Sequence, residues 1–128
     1  MRAIHLNLAL LSALLATSAL AQRPRPDGYT AVVESSSRMK TGEEIVLANV
    51  HAGQPLVVWP SGSGEPTTRT FQDSDFVVLV FVAKLTGGTE TFYLNTKTMR
   101  FTLVEATLPA ATEAGFGPGV TQGTLRRK

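Results

Sequence analysis

The chain has 128 residues, no cysteine and a formal net charge of +2, from 12 basic and 10 acidic side chains. This near balance argues against a nucleic-acid-binding protein, which needs a concentrated basic face to displace counterions. The absence of cysteine excludes a disulfide framework and cysteine zinc sites, so stability has to come from burial and strand pairing.

The first 21 residues have the features of a cleavable signal peptide. Arg2 gives a basic start, residues 6–20 form an apolar run, and Ala19-Leu20-Ala21 gives the small-x-small pattern of a cleavage site. The run is shorter than the roughly twenty apolar residues that span a bilayer. We predict a signal peptide over residues 1–21, a linker over 22–28, and a periplasmic or secreted protein without a membrane span after cleavage. The lack of cysteine in an exported protein favours a bacterial origin.

The remaining chain of about 107 residues fits one small domain. Segments rich in β-branched and aromatic residues alternate with glycine, proline and polar turns, which is the pattern of strands. They predict an all-β domain over residues 29–106, built as a small antiparallel sandwich or partly open barrel of about six strands. The predicted strands cover residues 29–34, 44–50, 55–59, 76–83, 89–95 and 99–106.

Residues 76–83 give the strongest strand signal, because every one of them is apolar and most are branched or aromatic. Successive side chains of a strand point to opposite faces, so this strand is predicted to be central and covered on both faces. Gly87-Gly88 predicts a two-residue hairpin to the next strand, since glycine accepts positive φ at both turn positions. A turn at residues 95–98 then completes a three-stranded antiparallel meander.

The last part of the chain, residues 107–128, is rich in glycine, proline and alanine. Such a composition buries too little apolar surface to offset the entropy of ordering the chain. We therefore expect a flexible, disordered C-terminal tail over residues 107–128. Phe116 is the one residue in it that is suited to docking back onto the domain.

The predicted domain offers little catalytic chemistry. His51 is its single histidine, so a zinc site built on several histidines is not expected. Asp73 and Asp75 lack the spacing of a calcium loop and predict a polar turn that caps the following strand. Gly62-Ser63-Gly64 lacks the outer spacing of a nucleophile elbow or a phosphate loop. We expect no catalytic residue, no metal and no cofactor.

The longest internal irregular stretch, residues 60–68, follows the only tryptophan, Trp59. Loops carry binding residues more often than the elements they connect, and tryptophan often anchors a protein or sugar partner. A tryptophan that ends an apolar strand is also a common packing residue. The predicted binding residues are Trp59, Ser61, Ser63, Glu65 and Arg69.

These observations predict a non-catalytic exported binding module that contacts a protein or a surface glycan and no nucleic acid. The sequence leaves three alternatives open. The first is a carrier that holds a small apolar ligand inside a β-barrel. The others are an enzyme built on His51 and an assembly subunit that pairs through an exposed strand edge.

Overall fold

The computed structural model describes residues 27–83, 87–107 and 118–128, and every regular element in these ranges is a β-strand. The predicted signal peptide, the linker up to residue 26, and residues 108–117 with Phe116 lie outside the described residues. The strands are β1 (Tyr29–Ser36), β2 (Glu44–Ala48), β3 (Leu56–Val58), β4 (Gly64–Pro66), β5 (Thr68–Gln72), β6 (Phe76–Val82), β7 (Thr89–Asn95), β8 (Arg100–Ala106) and β9 (Gly119–Arg127).

The nine strands form one antiparallel sheet in the order β4-β3-β2-β1-β9-β8-β7-β6-β5. The two edge strands, β4 and β5, are separated along the chain by Thr67 alone. The sheet therefore curls into a nearly closed up-and-down barrel, whose wall is completed by one bent segment, residues 64–72. The predicted all-β class is confirmed; of the two predicted arrangements, sandwich or partly open barrel, the structure has the barrel-like one, with nine strands in the described ranges instead of about six.

Apolar side chains fill the barrel interior and alternate along each strand with outward residues. Phe92 is the largest fully buried side chain. Met39, Trp59 and Met99 are partly buried against the same cluster. Because burying each large apolar side chain stabilises the fold by about 1.5–3 kcal/mol, this packed interior is the main source of stability. The other large side chains that are fully buried include Ile45, Leu47, Leu79, Leu94 and Leu103.

β6 is not the doubly covered central strand that its composition predicts. Val77 and Leu79 are fully buried, but Phe76 and Val82 on the opposite face are exposed. β6 lies beside the edge strand β5, and only one of its faces is turned to the interior. Its outward apolar residues form a surface instead of a second core.

The predicted meander of β6, β7 and β8 is confirmed, and β7 covers the predicted residues 89–95. The prediction of a two-residue hairpin turn at Gly87-Gly88 is wrong. Ala83 N donates a hydrogen bond of 2.8 Å to the Gly88 carbonyl oxygen, so Ala83 and Gly88 close a longer loop. Residues 84–86 of this loop lie outside the described part of the chain. Gly87 has a φ of 64°, which glycine adopts readily.

The prediction of a flexible tail over residues 107–128 is wrong for β9, which pairs with β8 on one side and with β1 on the other. Gly123 has no room for a side chain, since a Cβ there would overlap the carbonyl oxygen of Val32. The β domain thus extends to residue 127. The inward residues of β9 alternate and are buried: Gly119, Thr121, Gly123 and Leu125.

Candidate binding surface

The two ends of the barrel are distinguished by their loops. The upper end carries the β1–β2 loop, the β3–β4 turn and the β6–β7 connection, and the lower end carries the β2–β3 loop and the β5–β6 and β7–β8 turns. Trp59 lies at the upper end, directly after β3. Its ring packs on Phe81 and Phe92, with a centroid distance of 6.0 Å to each. The structure therefore makes Trp59 a partly buried member of the core, with some of its surface left to solvent.

Ser61 and Ser63 lie on the tight turn that joins β3 to β4. Trp59 N donates to the Ser63 carbonyl oxygen at 2.9 Å, and Gly62 N donates to the Trp59 carbonyl oxygen at 2.8 Å. Both serines are exposed, and their hydroxyl oxygens are 3.1 Å apart. The expected long loop is thus a short hairpin turn with two hydroxyl groups at its tip.

Arg69 of β5 is held at the opposite end of β3, by the β2–β3 loop. Its Nε donates to the Val50 carbonyl oxygen at 2.7 Å, and its Nη2 donates to the carbonyl oxygens of Asn49 at 2.8 Å and Gly53 at 3.2 Å. β5 has no strand partner on this side. Arg69 therefore closes the barrel wall here and does not share a surface with the serines of the β3–β4 turn.

Glu65 lies in β4 opposite Val57, whose side chain is buried. Directly opposed residues of an antiparallel pair share a face, so the half-buried Glu65 side chain is on the inward face of the wall. On its other side β4 has no paired neighbour in the described sheet.

Pro66 explains why the wall stays open beside β4. Thr67 N donates to the Pro55 carbonyl oxygen at 3.0 Å, and the alternation of an antiparallel ladder then turns the Pro66 nitrogen away from β3 and toward β6. The β5–β6 ladder ends at Val80. Extending this ladder by two residues would set Pro66 opposite Val82, where proline has no N–H to donate. The ladder therefore stops, and a seam remains between β4 and the upper part of β6.

This seam encloses a hollow of about 420 Å³, referred to here as the seam cleft. Its lining combines one carboxylate with hydroxyl and apolar groups. The residues that line it are Glu65, Pro66, Thr68, Thr70, Val80, Phe81 and Val82.

Large apolar side chains cluster on the outer face of β5, β6 and β7. The exposed fractions are 51% for Phe71, 46% for Phe76, 60% for Val82 and 50% for Tyr93. The strand registers place Phe71 opposite Val78 and Val78 opposite Tyr93, so a row of side chains crosses all three strands. Val82 lies on the same face of β6, with the partly exposed Val80 between it and Val78. The outer apolar patch is defined here as Phe71, Phe76, Val78, Val82 and Tyr93. Contiguous exposed apolar groups mark interaction surfaces, whereas scattered ones do not.

Polar groups border the outer apolar patch on its lower side. A hollow of about 350 Å³ lies there, lined in part by Phe76, Tyr93, Asn95, Arg100 and Gln122. The Arg100 guanidinium also pairs with the Glu34 carboxylate of β1 at 2.9 Å. An apolar centre with a polar and charged rim is the usual composition of a protein interface.

An acidic pair lies inside the upper end of the barrel. Glu90 of β7 and Glu105 of β8 are directly opposed on the inward face. Glu90 Oε2 is buried without a hydrogen-bond partner among the described residues, and Arg38 Nη1 lies 3.6 Å from Glu105 Oε2. Burial is the main cause that raises the pKa of Glu90 to about 7; Glu105 also raises it, Arg38 lowers it and Glu65 raises it slightly. Burial raises the pKa of Glu105 too, against the opposing effect of Arg38.

His51, the residue on which the alternative of an enzyme depends, lies at the lower end of the barrel. Its Nε2 is 2.7 Å from the hydroxyl oxygen of the buried Tyr29, and its Nδ1 is 3.4 Å from Gln72 Nε2. The two rings meet edge-on with centroids 5.7 Å apart. Asp73 forms the predicted capping turn, since its Oδ1 accepts a hydrogen bond of 2.7 Å from Phe76 N. These contacts tie the lower loops to one another.

Within residues 27–83, 87–107 and 118–128, no group of three or more histidine, aspartate or glutamate side chains is placed to hold a metal ion. The same ranges contain no helix long and apolar enough to cross a membrane. No family profile, curated protein or solved structure matches the chain.

Proposed function

We propose that this protein is a non-catalytic exported interaction module that binds another protein on the outer face of β5, β6 and β7. The observation that carries the proposal is the outer apolar patch, in which four large side chains are about half exposed on adjacent paired strands. Each Å² of apolar surface that a partner covers contributes about 25 cal/mol. A contiguous patch therefore favours association.

The packed interior supports surface contact over the carriage of an apolar ligand. A barrel of about eight strands either fills with side chains or holds one small ligand. Phe92, Leu79 and Leu103 are fully buried in one continuous cluster. These side chains occupy interior volume that a carrier would need for its ligand, which supports surface contact as the mode of binding.

The chemistry of the patch favours a protein over a surface glycan. Phe71, Phe76 and Val82 offer no hydrogen bond to a sugar hydroxyl, whereas they match apolar side chains of a protein partner. Val82 belongs to both the outer apolar patch and the seam cleft. The unpaired edge of β4 beside that cleft offers backbone groups to an extended segment of a partner.

The proposal is tested by placing a photo-crosslinking amino acid at Tyr93 in the organism that encodes the protein. The matched control places the same amino acid at Val46, an outward residue of β2 on the far side of the barrel. We expect a discrete adduct with one partner from position 93 and none from position 46. The adduct should disappear when Phe71→Ser and Phe76→Ser are added to a chain that keeps its β circular dichroism.

Two results would contradict the proposal. One is the absence of any adduct from position 93, and the other is an adduct that forms equally from both positions. An adduct of twice the chain mass would assign the patch to self-association, with a second copy of this chain as the partner.

A further inference from the structure

We propose that Glu90 and Glu105 form a proton-binding site that controls how tightly the β1–β2 loop and Trp59 close the upper end of the barrel. The inference does not depend on a partner protein, because it concerns groups inside the barrel wall. It rests on the placement of one cation and two further carboxylates around the buried Oε2 atom of Glu90.

The charged groups that face Glu90 come from three elements. Glu105 of β8 is its direct cross-strand neighbour, Glu65 comes from β4, and Arg38 comes from the β1–β2 loop. On the remaining side, Phe81 of β6 is opposite Glu90 and offers no polar atom. Among the described residues, Arg38 is thus the cation that acts on both Glu90 and Glu105.

Arg38 reaches the pair because β9 begins with a glycine. A Cβ at Gly119 would lie 3.0 Å from Glu105 Oε2, 2.7 Å from Ser37 Oγ and 3.5 Å from Arg38 Cδ. Without that Cβ, the guanidinium passes over the start of β9 and pairs with Glu105 at 3.6 Å. The ion pair therefore links the β1–β2 loop to the wall of the barrel.

The protonation state of Glu90 decides whether this arrangement is electrically balanced. With a proton on Glu90, the charge of Glu105 is matched by Arg38, and the buried Oε2 carries no full charge. Loss of the proton puts two carboxylates side by side under one guanidinium, and an unpaired buried charge is strongly disfavoured. Hydration then becomes the main way to stabilise the second charge. Burial accordingly raises the pKa of Glu90 to about 7, so the change falls near neutral pH.

The Glu90 side chain is partly exposed, and its buried Oε2 gains access to water when the upper closure loosens. Met39 of the β1–β2 loop packs on the core, and its N donates to Ser36 Oγ at 2.9 Å. Trp59 packs on Phe81, the residue opposite Glu90. Ionisation of Glu90 is therefore expected to be accompanied by exposure of Trp59, the only tryptophan of the chain.

Trp59 fluorescence tests the proposal directly on the full protein. Acrylamide quenching and the emission maximum are followed between about pH 5 and about pH 9. We expect quenching to increase and the emission to move to longer wavelength, with a midpoint near pH 7. Glu90→Gln should remove the transition, because an amide does not ionise. Glu34→Gln is the matched control and should keep it, since Glu34 pairs with Arg100 on the outer surface.

A wild-type signal that stays flat over this range would overturn the proposal, as would a transition that persists in Glu90→Gln. Arg38→Gln gives a second test, which can be used even if the Glu90→Gln protein does not fold. Removing the cation that lowers the pKa of Glu90 should shift the midpoint to higher pH. A midpoint that is unchanged or lower in Arg38→Gln contradicts the assignment.

Discussion

The Arg69 guanidinium and the Val50 carbonyl oxygen are joined by a hydrogen bond of 2.7 Å between β5 and the β2–β3 loop. β5 pairs with β6 on one side only, so this side chain takes the place of a strand on the other side. The same guanidinium also binds the carbonyl oxygens of Asn49 and Gly53. The lower half of the barrel is thus closed by side-chain contacts in which Arg69 makes three hydrogen bonds, and the upper half remains open as the seam cleft.

Arg69→Ala is expected to lower the free energy of unfolding by roughly 2–4 kcal/mol, because three carbonyl acceptors lose a charged donor. Arg69→Lys should recover only part of the loss, since one ammonium group cannot reproduce the geometry of the guanidinium fork. Urea unfolding followed by Trp59 fluorescence measures both. Arg126→Ala is the control and should cost less than about 1 kcal/mol, as Arg126 pairs with Glu44 on the exposed surface. Equal losses at the two arginines would show that Arg69 does not close the wall.

Gly123→Ala is expected to destabilise the protein by roughly 2–4 kcal/mol, because the added methyl group overlaps the Val32 carbonyl oxygen and meets the Phe101 ring at 2.8 Å. Thermal unfolding measures the effect. Gly64→Ala is the matched control, since its nearest neighbour, Leu56 Cδ1, would lie at an ordinary 3.5 Å. A Gly123→Ala protein as stable as the control would mean that β9 is not inserted between β1 and β8.

The same glycine shows why the last strand was not predicted from the sequence. An inward strand face is recognised by apolar residues at every second position. In β9 these positions are held by Gly119, Thr121, Gly123 and Leu125. Two of the four are glycines, and the space that a side chain would fill is already occupied, by Phe101 and the Val32 backbone at Gly123 and by Ser37 at Gly119. The alternation was present in the sequence but was carried by small residues, which resemble a disordered tail in composition.

The meander could be predicted because its inward face is built from large residues. Phe92 and Leu94 of β7 and Phe101 and Leu103 of β8 alternate with polar residues, and all four are buried. The same alternation puts Glu90 on the inward face, but a single strand pattern does not show which residue of another strand lies opposite it. The strand register, which sets the pairing of Glu90 with Glu105, follows from the closed sheet and not from either segment alone.

Trp59→Ala is expected to cost roughly 2–4 kcal/mol of stability, because the indole ring packs on Phe81 and Phe92 and its removal leaves a cavity at the upper end. The double variant Ser61→Ala, Ser63→Ala should stay within about 0.5 kcal/mol of the wild type, since both hydroxyl groups are exposed. Urea unfolding followed by circular dichroism compares the two without using the tryptophan signal. A Trp59→Ala protein of unchanged stability would mean that Trp59 is an exposed contact residue and does not stabilise the core.

The stability of the wild-type protein is expected to fall as the pH rises through 7, because burial raises the pKa of Glu90 from 4.5 to about 7. A carboxyl group that holds its proton more tightly in the folded state contributes stability that is fully present below its unfolded pKa. That contribution is lost as the pH rises through the folded pKa. The raised pKa of Glu105 acts with the same sign. Carboxylates that are well paired in the folded state give the opposite trend, with stability rising with pH.

Urea unfolding at several values between about pH 5 and about pH 8 should show a decrease of about 1–3 kcal/mol for the wild type. Glu90→Gln should flatten this dependence, because the group that releases the proton is gone, and should be the more stable protein at the alkaline end. Glu44→Gln, which removes an exposed carboxylate, should leave the slope unchanged. A slope that is identical in wild type and Glu90→Gln would place the titrating group elsewhere. A wild-type stability that rises with pH would mean that Glu90 is ionised and adequately paired in the folded barrel.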